Sequence, residues 1–323
     1  MLDWTNYVLR SDIKDQPLEV QRREFLKEQL YHDNLLNEQA RMLSKFQPKG
    51  PGGSGTGFSG NASDGPLSGA TVTSNVGSAT TNALGIFTLP STPSGEITVT
   101  GGTDAITGVA FTGELKGFPE YSTISPLTTL AYHLKEEDST LTTDTAIDLL
   151  FVSSSTLFGI ELEAADKDVM LNKDYVAESI LFDNQKAVAA QSIATYLESV
   201  TQVVGSALVG ADSSNFTTNN AKVEGYKSIA RQIQGTSGAK TEINPQTLFD
   251  VVKLPNGSNW TSTGSLNTSA RANIKTQLFN VKNELGSLAR STNYSANYLT
   301  TKIQAVNRGA KEDYAVEAEK LAK

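Results

Sequence analysis

Residues 64–72 read Asp64-Gly-Pro-Leu-Ser-Gly-Ala-Thr-Val72, and residues 80–89 read Thr80-Thr-Asn-Ala-Leu-Gly-Ile-Phe-Thr-Leu89. Both stretches combine glycine-containing turn signals with short runs of Val, Ile, Phe and Thr, the residues that favour strands. Similar runs follow at 96–100 and 109–115. Short strands at this spacing predict a small antiparallel β-sandwich over residues 61–124.

The pattern changes at Ser125-Pro126, where apolar residues begin to recur at helical spacing. Ser125 is suited to cap a helix, and Pro126 fits the first turn. Loops of Ser, Thr, Asn and Gly separate the helical patterns that come later in the chain. We therefore predict a helical domain over residues 125–323, with one helix from Pro126, a second ending near Leu150, and others near 174–209, 221–234, 245–252, 268–290 and 295–322.

The N-terminal stretch shows another helical pattern, which we interpret as a docking arm over residues 1–47. Asp15 reads as an N-cap with Pro17 in the first turn, and no Gly or further Pro occurs before Phe46. A long helix with a narrow apolar stripe needs a partner surface: a second copy, another protein or the C-terminal helices. The residues assigned to this assembly arm are Trp4, Leu18, Phe25, Leu26, Leu30, Leu36, Leu43 and Phe46.

A glycine-rich segment, residues 48–60, follows the arm and reads as a flexible linker. Four parts are thus expected along the chain. They are the docking arm at 1–47, the linker at 48–60, the sandwich at 61–124 and the helical domain at 125–323.

The Asp64–Val72 and Thr80–Leu89 stretches, together with Gly95-Glu-Ile-Thr-Val99, resemble the carboxypeptidase-regulatory-like or transthyretin-like β-sandwich family. That family has an Asp-Gly turn, an alternating Gly-Ala-x-Val strand, and a later Gly that allows a positive-φ turn before an inward Phe. Where the family often has Asp-x-Asn-Gly, this chain has Asn82-Ala-Leu-Gly85. The resemblance implies an Ig-like or transthyretin-like sandwich.

Three further stretches resemble a junction in large bacterial surface and adhesin-like proteins, where a sandwich repeat runs into a helical segment. They are Thr100–Gly108, Phe111–Lys116 and Ile124–Leu130. With the family resemblance, the match covers about residues 62–160. The expected fold class is therefore α+β multidomain, with an N-terminal long helix arm, a small antiparallel β-sandwich and an α-helical C-terminal domain.

The composition argues against several classes of protein. Net charge is −8, and the Lys and Arg residues form no dense cluster, so we predict no nucleic-acid partner. The chain has no cysteine, which excludes disulfides and thiol chemistry. No run of about 18 apolar residues occurs, so no membrane insertion is expected, and the first residues do not read as a Sec signal.

Catalytic patterns are weak, and we predict that the chain is not an enzyme. The two histidines, His32 and His133, lie in different segments, and each is more readily explained as a surface or packing residue of a helix. A Ser-His-Asp triad would need one of them, and no G-x-S-x-G elbow, P-loop or dinucleotide fingerprint is present.

Calcium is the metal for which the chain offers the most candidate oxygen ligands. Asp166 with Asp168, and residues 212–220, lack the spacing of an EF-hand loop. Asp104, in Gly-Gly-Thr-Asp, is a better candidate because glycines let carbonyl groups converge, although a turn-capping role fits it as well. We predict no cofactor and no metal site.

Two functions remain open on this reading. The first is a virion structural protein of a tailed bacteriophage: a head decoration, neck, tail or baseplate component. Such a protein would bind other virion proteins and copies of itself, and would be made in the host cytoplasm. The alternative is a cell-surface or secreted adhesion module that binds ligands through the loops of its Ig-like sandwich.

Overall fold

The structure is a computed structural model that describes residues 57–158, 166–182, 184–234, 245–260, 266 and 268–322. Residues 58–60, at the end of the predicted linker, belong to a strand that begins at Phe58. Residues 48–56 of the linker and all of the predicted docking arm lie outside the described residues. That part includes every residue assigned to the assembly arm: Trp4, Leu18, Phe25, Leu26, Leu30, Leu36, Leu43 and Phe46.

Short strands occupy the first part of the described chain and form three small sheets. The strands are β1 (Phe58–Ala62), β2 (Leu67–Ser68), β3 (Thr71–Ser74), β4 (Gly77–Thr80), β5 (Ile86–Leu89), β6 (Ile97–Thr100), β7 (Thr103–Asp104), β8 (Glu114–Gly117) and β9 (Thr123–Ile124). The sheets have the strand orders β5-β1-β9, β2-β7 and β4-β3-β6-β8.

Five of the six strand pairings are antiparallel, as the sequence predicts, and the sixth, between β1 and β9, is parallel. Strand β9 has two residues and leads directly into the first helix, which begins at Pro126. No hairpin turn joins β9 to β1, and the chain continues from β9 into that helix. Strand β9 can therefore run parallel to β1.

The three- and four-stranded sheets share one hydrophobic core. Burial alternates along the strands, as in β3, where Val72 is buried between the exposed Thr71 and Thr73. This period of two places one face of each sheet in the core. The core residues include Phe58, Phe87 and Leu89 on one sheet and Val72, Ile97, Val99 and Leu115 on the other.

Helices make up the rest of the described chain, which confirms a mixed fold with a helical C-terminal region. They are α1 (Pro126–Glu137), α2 (Thr143–Phe158), α3 (Asp166–Leu171), α4 (Tyr175–Phe182), α5 (Gln185–Ala211), α6 (Thr218–Gln234), α7 (Pro245–Leu248), α8 (Thr268–Ala289), α9 (Ala296–Gly309) and α10 (Ala315–Leu321). A 3₁₀ turn, Phe249–Val251, follows α7, and a π-helical turn, Ala310–Tyr314, joins α9 to α10.

At Ser125, where the strands give way to helices, a capping box stabilises the start of α1. The Ser125 side chain accepts a hydrogen bond from the backbone N–H of Leu127, and its own N–H donates to the Thr128 hydroxyl at 2.9 Å. These bonds satisfy donors that would otherwise be unpaired at a buried helix start. Helix α1 then packs on β8 and on α6, which joins the sheets to the helices.

Helix α5 lies at the centre of the helical part. It is buried along most of its length and contacts α4, α6, α8, α9 and α10. The predicted helix over 174–209 is in fact two helices, because α4 ends at Phe182 and the Asn184 side chain caps a new start. The pattern over 295–322 is likewise interrupted by the π-helical turn.

The turn before β5 shows how the chain manages without the Asp-x-Asn-Gly sequence of the family it resembles. The Asn82 side-chain oxygen accepts hydrogen bonds from the N–H groups of Leu84 and Ile86, at 2.9 and 3.0 Å. Gly85 has φ +74°, and a Cβ there would lie 2.5 Å from the Ala62 carbonyl oxygen. Asn82 thus closes the turn, and Gly85 provides the conformation and space it needs.

We predict that Gly85→Ala lowers the free energy of unfolding by at least about 2 kcal/mol, because it adds left-handed strain to a backbone clash. The matched control is Gly95→Ala, since Gly95 has no atom within 4 Å of the Cβ position. That change should stay within about 1 kcal/mol of the parent protein. Urea unfolding at equilibrium measures both, and equal midpoints for the two variants would contradict the assigned turn.

Candidate functional site

Two acidic loops of the sheet region meet beneath the helices. Asp64 lies in the turn after β1, and Asp104 ends β7. Gly65, at φ +76°, lies so close to Asp104 that a Cβ on it would be 2.4 Å from the Asp104 Oδ1 atom. Asp104 Oδ1 also accepts hydrogen bonds from the N–H groups of Ile106 and Thr107, at 2.9 and 3.2 Å. The turn-capping role of Asp104 is therefore present, and it fixes the carboxylate in place.

Lys311 reaches these two carboxylates from the π-helical turn. Its Nζ atom donates to Asp64 Oδ2 at 2.6 Å and lies 3.9 Å from Asp104 Oδ2. The exposed fractions of the three side chains are 6%, 2% and 0% for Lys311, Asp64 and Asp104. π-Helical turns are rare, and they are frequently found at functional sites.

A second buried ion pair lies in the adjacent helices. Lys222 on α6 donates from Nζ to Glu198 Oε1 on α5 at 2.6 Å and to the Thr112 carbonyl oxygen at 2.6 Å. The Tyr226 hydroxyl donates to the other Glu198 oxygen at 3.1 Å. The Lys222 ammonium also lies 5.0 Å from the centre of the Phe111 ring. Lys222 and Glu198 therefore each have a hydrogen-bond partner in addition to the other, as a buried ion pair requires.

The cluster holds one more carboxylate than ammonium groups, since Asp64, Asp104 and Glu198 face Lys222 and Lys311. Burial raises the pKa of Asp64 to about 7; Lys311 opposes this rise, while the charges of Glu198 and Asp104 add to it. Burial works to lower the pKa of Lys311, but the nearby carboxylates outweigh it and raise that pKa above its ordinary value. Burial therefore shifts Asp64 toward its neutral form, whereas the carboxylates around Lys311 favour the charged form of that lysine.

A cavity of about 200 Å³ adjoins the two pairs. Its lining combines the loop before β8 with the two helices and the π-helical turn: Val109, Ala110, Phe111, Thr112, Glu198, Gln202, Lys222 and Lys311. Part of its wall is apolar, formed by Val109, Ala110 and Phe111. Both lysines that line it are already bound to carboxylates, so among the described residues the cavity contains no ammonium free of a partner.

Further polar contacts continue this junction on either side of the cluster. Arg308 on α9 donates to the Thr107 carbonyl oxygen at 3.0 Å, and the Tyr175 hydroxyl donates to the Ser63 carbonyl oxygen at 3.1 Å. Beside β9, the Ser122 and Thr123 hydroxyls donate to backbone carbonyls of Asn172 and Lys173, at 2.8 and 2.9 Å. The sheet region is therefore held to the helices by side chains from α4, α6, α9 and the π-helical turn.

The candidate metal ligands named from the sequence lie apart from one another. Asp104 faces the ammonium of Lys311, Asp166 binds Lys186 at 3.0 Å, and Asp212 accepts hydrogen bonds from Ser214 and the indole of Trp260. Across the described ranges, no group of three acidic or histidine side chains is placed to hold a metal ion.

The two histidines are also separate. His133 is buried in α1, with Nδ1 2.8 Å from Glu136 Oε2 and its ring 6.1 Å from that of Tyr226. It therefore packs between α1 and α6, and the hydrogen bond from His133 lowers the pKa of Glu136. His32 lies outside the described residues.

Sequence reasoning missed Glu198, Lys222 and Lys311, although one signal was available. Glu198 is the sole charged residue between positions 187 and 208, in a stretch rich in Ala, Val, Ile and Leu. An isolated carboxylate on a helix that is apolar on most sides must be paired if it is buried. The identity of its partner could not be read from the sequence, because Lys222 belongs to another helix.

Comparison with known proteins gives no relative: no family model, curated protein or solved structure matches the chain. Among the helices that the structure describes, none combines the length and apolar character needed to span a bilayer.

We predict that Lys222→Met and Glu198→Gln each destabilise the protein by about 3–5 kcal/mol, because each leaves one buried charge without its partner. The double variant should be more stable than the sum of the two losses implies, since it leaves neither charge. Urea unfolding of the four proteins gives the coupling energy. Asp148→Asn, which breaks a partly exposed pair with Lys167, is the control and should change stability by about 1 kcal/mol or less. Additive losses would show that the two side chains act independently.

Asp174 gives a pH-dependent prediction. Its Oδ1 atom accepts hydrogen bonds from the N–H groups of Val176 and Ala177 at the start of α4. Burial raises its pKa to about 6, against the effect of these two bonds. Because the folded state then binds a proton more tightly than the unfolded state, Asp174 makes stability fall as pH rises from about 4 to about 6.

Asp174→Asn keeps the amide oxygen that caps the helix and removes the titration. Between about pH 4 and 6, the plot of unfolding free energy against pH should therefore have a more positive slope in the variant than in the parent protein. The difference in slope corresponds to one bound proton. Urea unfolding across this pH range measures the slope. The exposed Asp313→Asn is the matched control and should leave the slope unchanged. An unchanged slope in the Asp174 variant would contradict a buried, protonated carboxyl group.

Proposed function

We propose that this chain is a non-catalytic structural protein of a tailed-bacteriophage virion, acting through protein–protein assembly. In this proposal the strands over residues 58–124 are an Ig-like or transthyretin-like sandwich. The helical part supports the sandwich, and the arm at 1–47 docks on copies of the chain and on other virion proteins.

The observation that carries the proposal is the use of buried charge at the junction. The ammonium groups of Lys222 and Lys311 bind carboxylates and carbonyl groups that belong to other parts of the fold. Charged groups held in this way fix one part of the protein against another. A projecting module that transmits force to a support needs such a fixed junction.

The fold assignment rests on two kinds of support. Two facing sheets share one core over this region, and the burial along β3, β5 and β6 follows a period of two. Glycines in the stretches that carry the family resemblance, such as Gly65 and Gly85, have the positive φ angles that tight turns use. Both features are what a small sandwich requires.

The surface also suits assembly through uncharged contacts. Only 19% of the residues are charged, and Ser, Thr, Asn and Gly supply much of the remaining polar surface. The described helices additionally expose large apolar side chains at Val152, Phe279 and Val316. Virion proteins bury such surfaces against neighbours, and the resemblance of residues 62–160 to adhesin-type modules fits a place on the outside of a particle.

The test is the mass of the full chain in solution, measured by light scattering. We expect a defined oligomer that Leu36→Asp dissociates, because the sequence places Leu36 in the apolar stripe of the predicted arm. Asn34→Asp adds the same charge on the opposite side of that predicted helix and should leave the oligomer intact.

A monomeric parent chain at all concentrations, with no effect of either substitution, would contradict assembly through the arm. That outcome would favour the adhesion module, whose sandwich loops could then be screened against glycans and surface proteins.

A further inference from the structure

Lys311 and Asp64 are placed for a covalent reaction with each other. We propose that the Lys311 amine and the Asp64 carboxyl group condense into an amide, an intramolecular isopeptide bond, with Asp104 as the proton acceptor. This modification goes beyond the proposed function and does not depend on it.

Proximity is the first support. Nζ of Lys311 lies 2.6 Å from Oδ2 of Asp64, and both side chains are almost fully buried. The two residues are 247 positions apart in sequence, so the fold itself brings them into contact. Holding two reacting groups in one geometry can replace a very high reactant concentration, with effective molarities of about 10⁵ M or more in favourable cases.

The third carboxylate supplies the proton chemistry. Asp104 Oδ1 is held by two backbone N–H groups, whereas Oδ2 has no hydrogen-bond partner among the described residues and lies 3.9 Å from Lys311 Nζ. An oriented, unpartnered carboxylate oxygen can act as the general base when the 3.9 Å gap to Lys311 Nζ shortens to hydrogen-bond distance or is bridged by one water molecule. The raised pKa of Asp64 is consistent with its reacting as the neutral acid.

The reaction balances without an external reagent. Asp104 takes one proton from the Lys311 ammonium, and the freed amine attacks Cγ of Asp64 in its carboxylic-acid form. A C–N bond forms and a C–O bond breaks. The oxygen leaves as water with its own hydrogen and a second one from the nitrogen, relayed by Asp104. The products are a neutral amide, one water molecule and protonated Asp104, so atoms and charge are conserved.

The surroundings favour the products. An amide replaces an ammonium and a carboxyl group whose burial is costly, and a neutral bond needs no charge partner. The cavity of about 200 Å³, which Lys311 lines, is large enough to receive the water.

The neighbouring pair provides an internal contrast. Both oxygens of Glu198 are bound, one by Lys222 and one by Tyr226, and Lys222 also donates to the Thr112 carbonyl. Among the described residues, the carboxylate paired with Lys222 is that of Glu198, and neither of its oxygens lacks a hydrogen-bond partner. Lys222 and Glu198 should therefore remain an ion pair, although their N–O distance is the same.

The experiment is mass spectrometry of the purified full chain under denaturing conditions. We expect a mass lower than that of the sequence by one water molecule. Trypsin should then give a branched peptide that joins residues 50–116, which contain Asp64, to residues 309–320, with no cleavage after Lys311. Fragmentation of that peptide identifies the bonded pair.

Single substitutions distinguish the reacting lysine, the proton acceptor and a lysine that takes no part in the reaction. Lys311→Arg keeps the charge and should have the full sequence mass. Asp104→Asn keeps the oxygen that caps the loop and should slow bond formation by about 100-fold or more. Lys167→Arg, in a partly exposed pair with Asp148 that does not belong to the cluster, is the matched control and should still lose one water molecule. Circular dichroism checks that each variant folds.

The mass of the folded parent chain decides the outcome even if a variant fails to fold. A parent chain that keeps its full mass and is cleaved after Lys311, after days at neutral pH, would overturn the proposal and leave a buried ion pair. A lost water that maps to another pair of residues would overturn it as well.

Discussion

An ammonium group taken out of water must meet a carboxylate, and this requirement organises the junction between the sheets and the helices. Lys311 and Lys222 enter the same buried region from different elements, and each meets a carboxylate at 2.6 Å. Unpaired, either charge would cost several kcal/mol, so the loops and helices that carry the partners cannot move apart freely. The hydrophobic core of the two sheets provides cohesion. The paired charges, the hydrogen bonds beside β9 and the packing of α1 on β8 together hold the β and helical parts in one relative position.

Backbone geometry at a few positions makes these contacts possible. Gly65 lets the turn after β1 lie against Asp104, and Gly113, at φ +100°, leaves space for Lys222, whose side chain lies 3.1 Å from the position of a Cβ. On α5, Gly205 allows the backbone of α6 to come close. Small residues therefore appear where two elements must approach closely enough for a long, charged side chain to reach its partner.

How much of this could be predicted depends on sequence separation. The cap at Ser125 and the turns around Gly85 rest on neighbouring residues, so the pattern of a few positions sufficed to predict the change from strands to helices. The break between α4 and α5 was missed although the polar run Asp183-Asn-Gln-Lys186 was a signal for it, because four polar residues also fit one exposed turn of a continuous helix. The parallel β1–β9 pairing was missed because β9 has only two residues. Lys311 and Asp64 could not be paired from the sequence, since nothing local marks a contact across 247 positions.

Because Asp64 and Lys311 are 247 positions apart in sequence, their contact also affects how the protein carries a mechanical load. Asp64 lies near the start of the described chain and Lys311 near its end, so their contact connects the first turn of the sheets to the last helices. A load applied to the sheets would then pass directly into the π-helical turn, and not through the loops between α1 and α9. A contact with this topology constrains the unfolded chain most when it is permanent, because closing a long loop removes the most conformational entropy. For a protein whose proposed task is to hold its place in an assembly, the position of this contact matters more than the net energy of the ion pair.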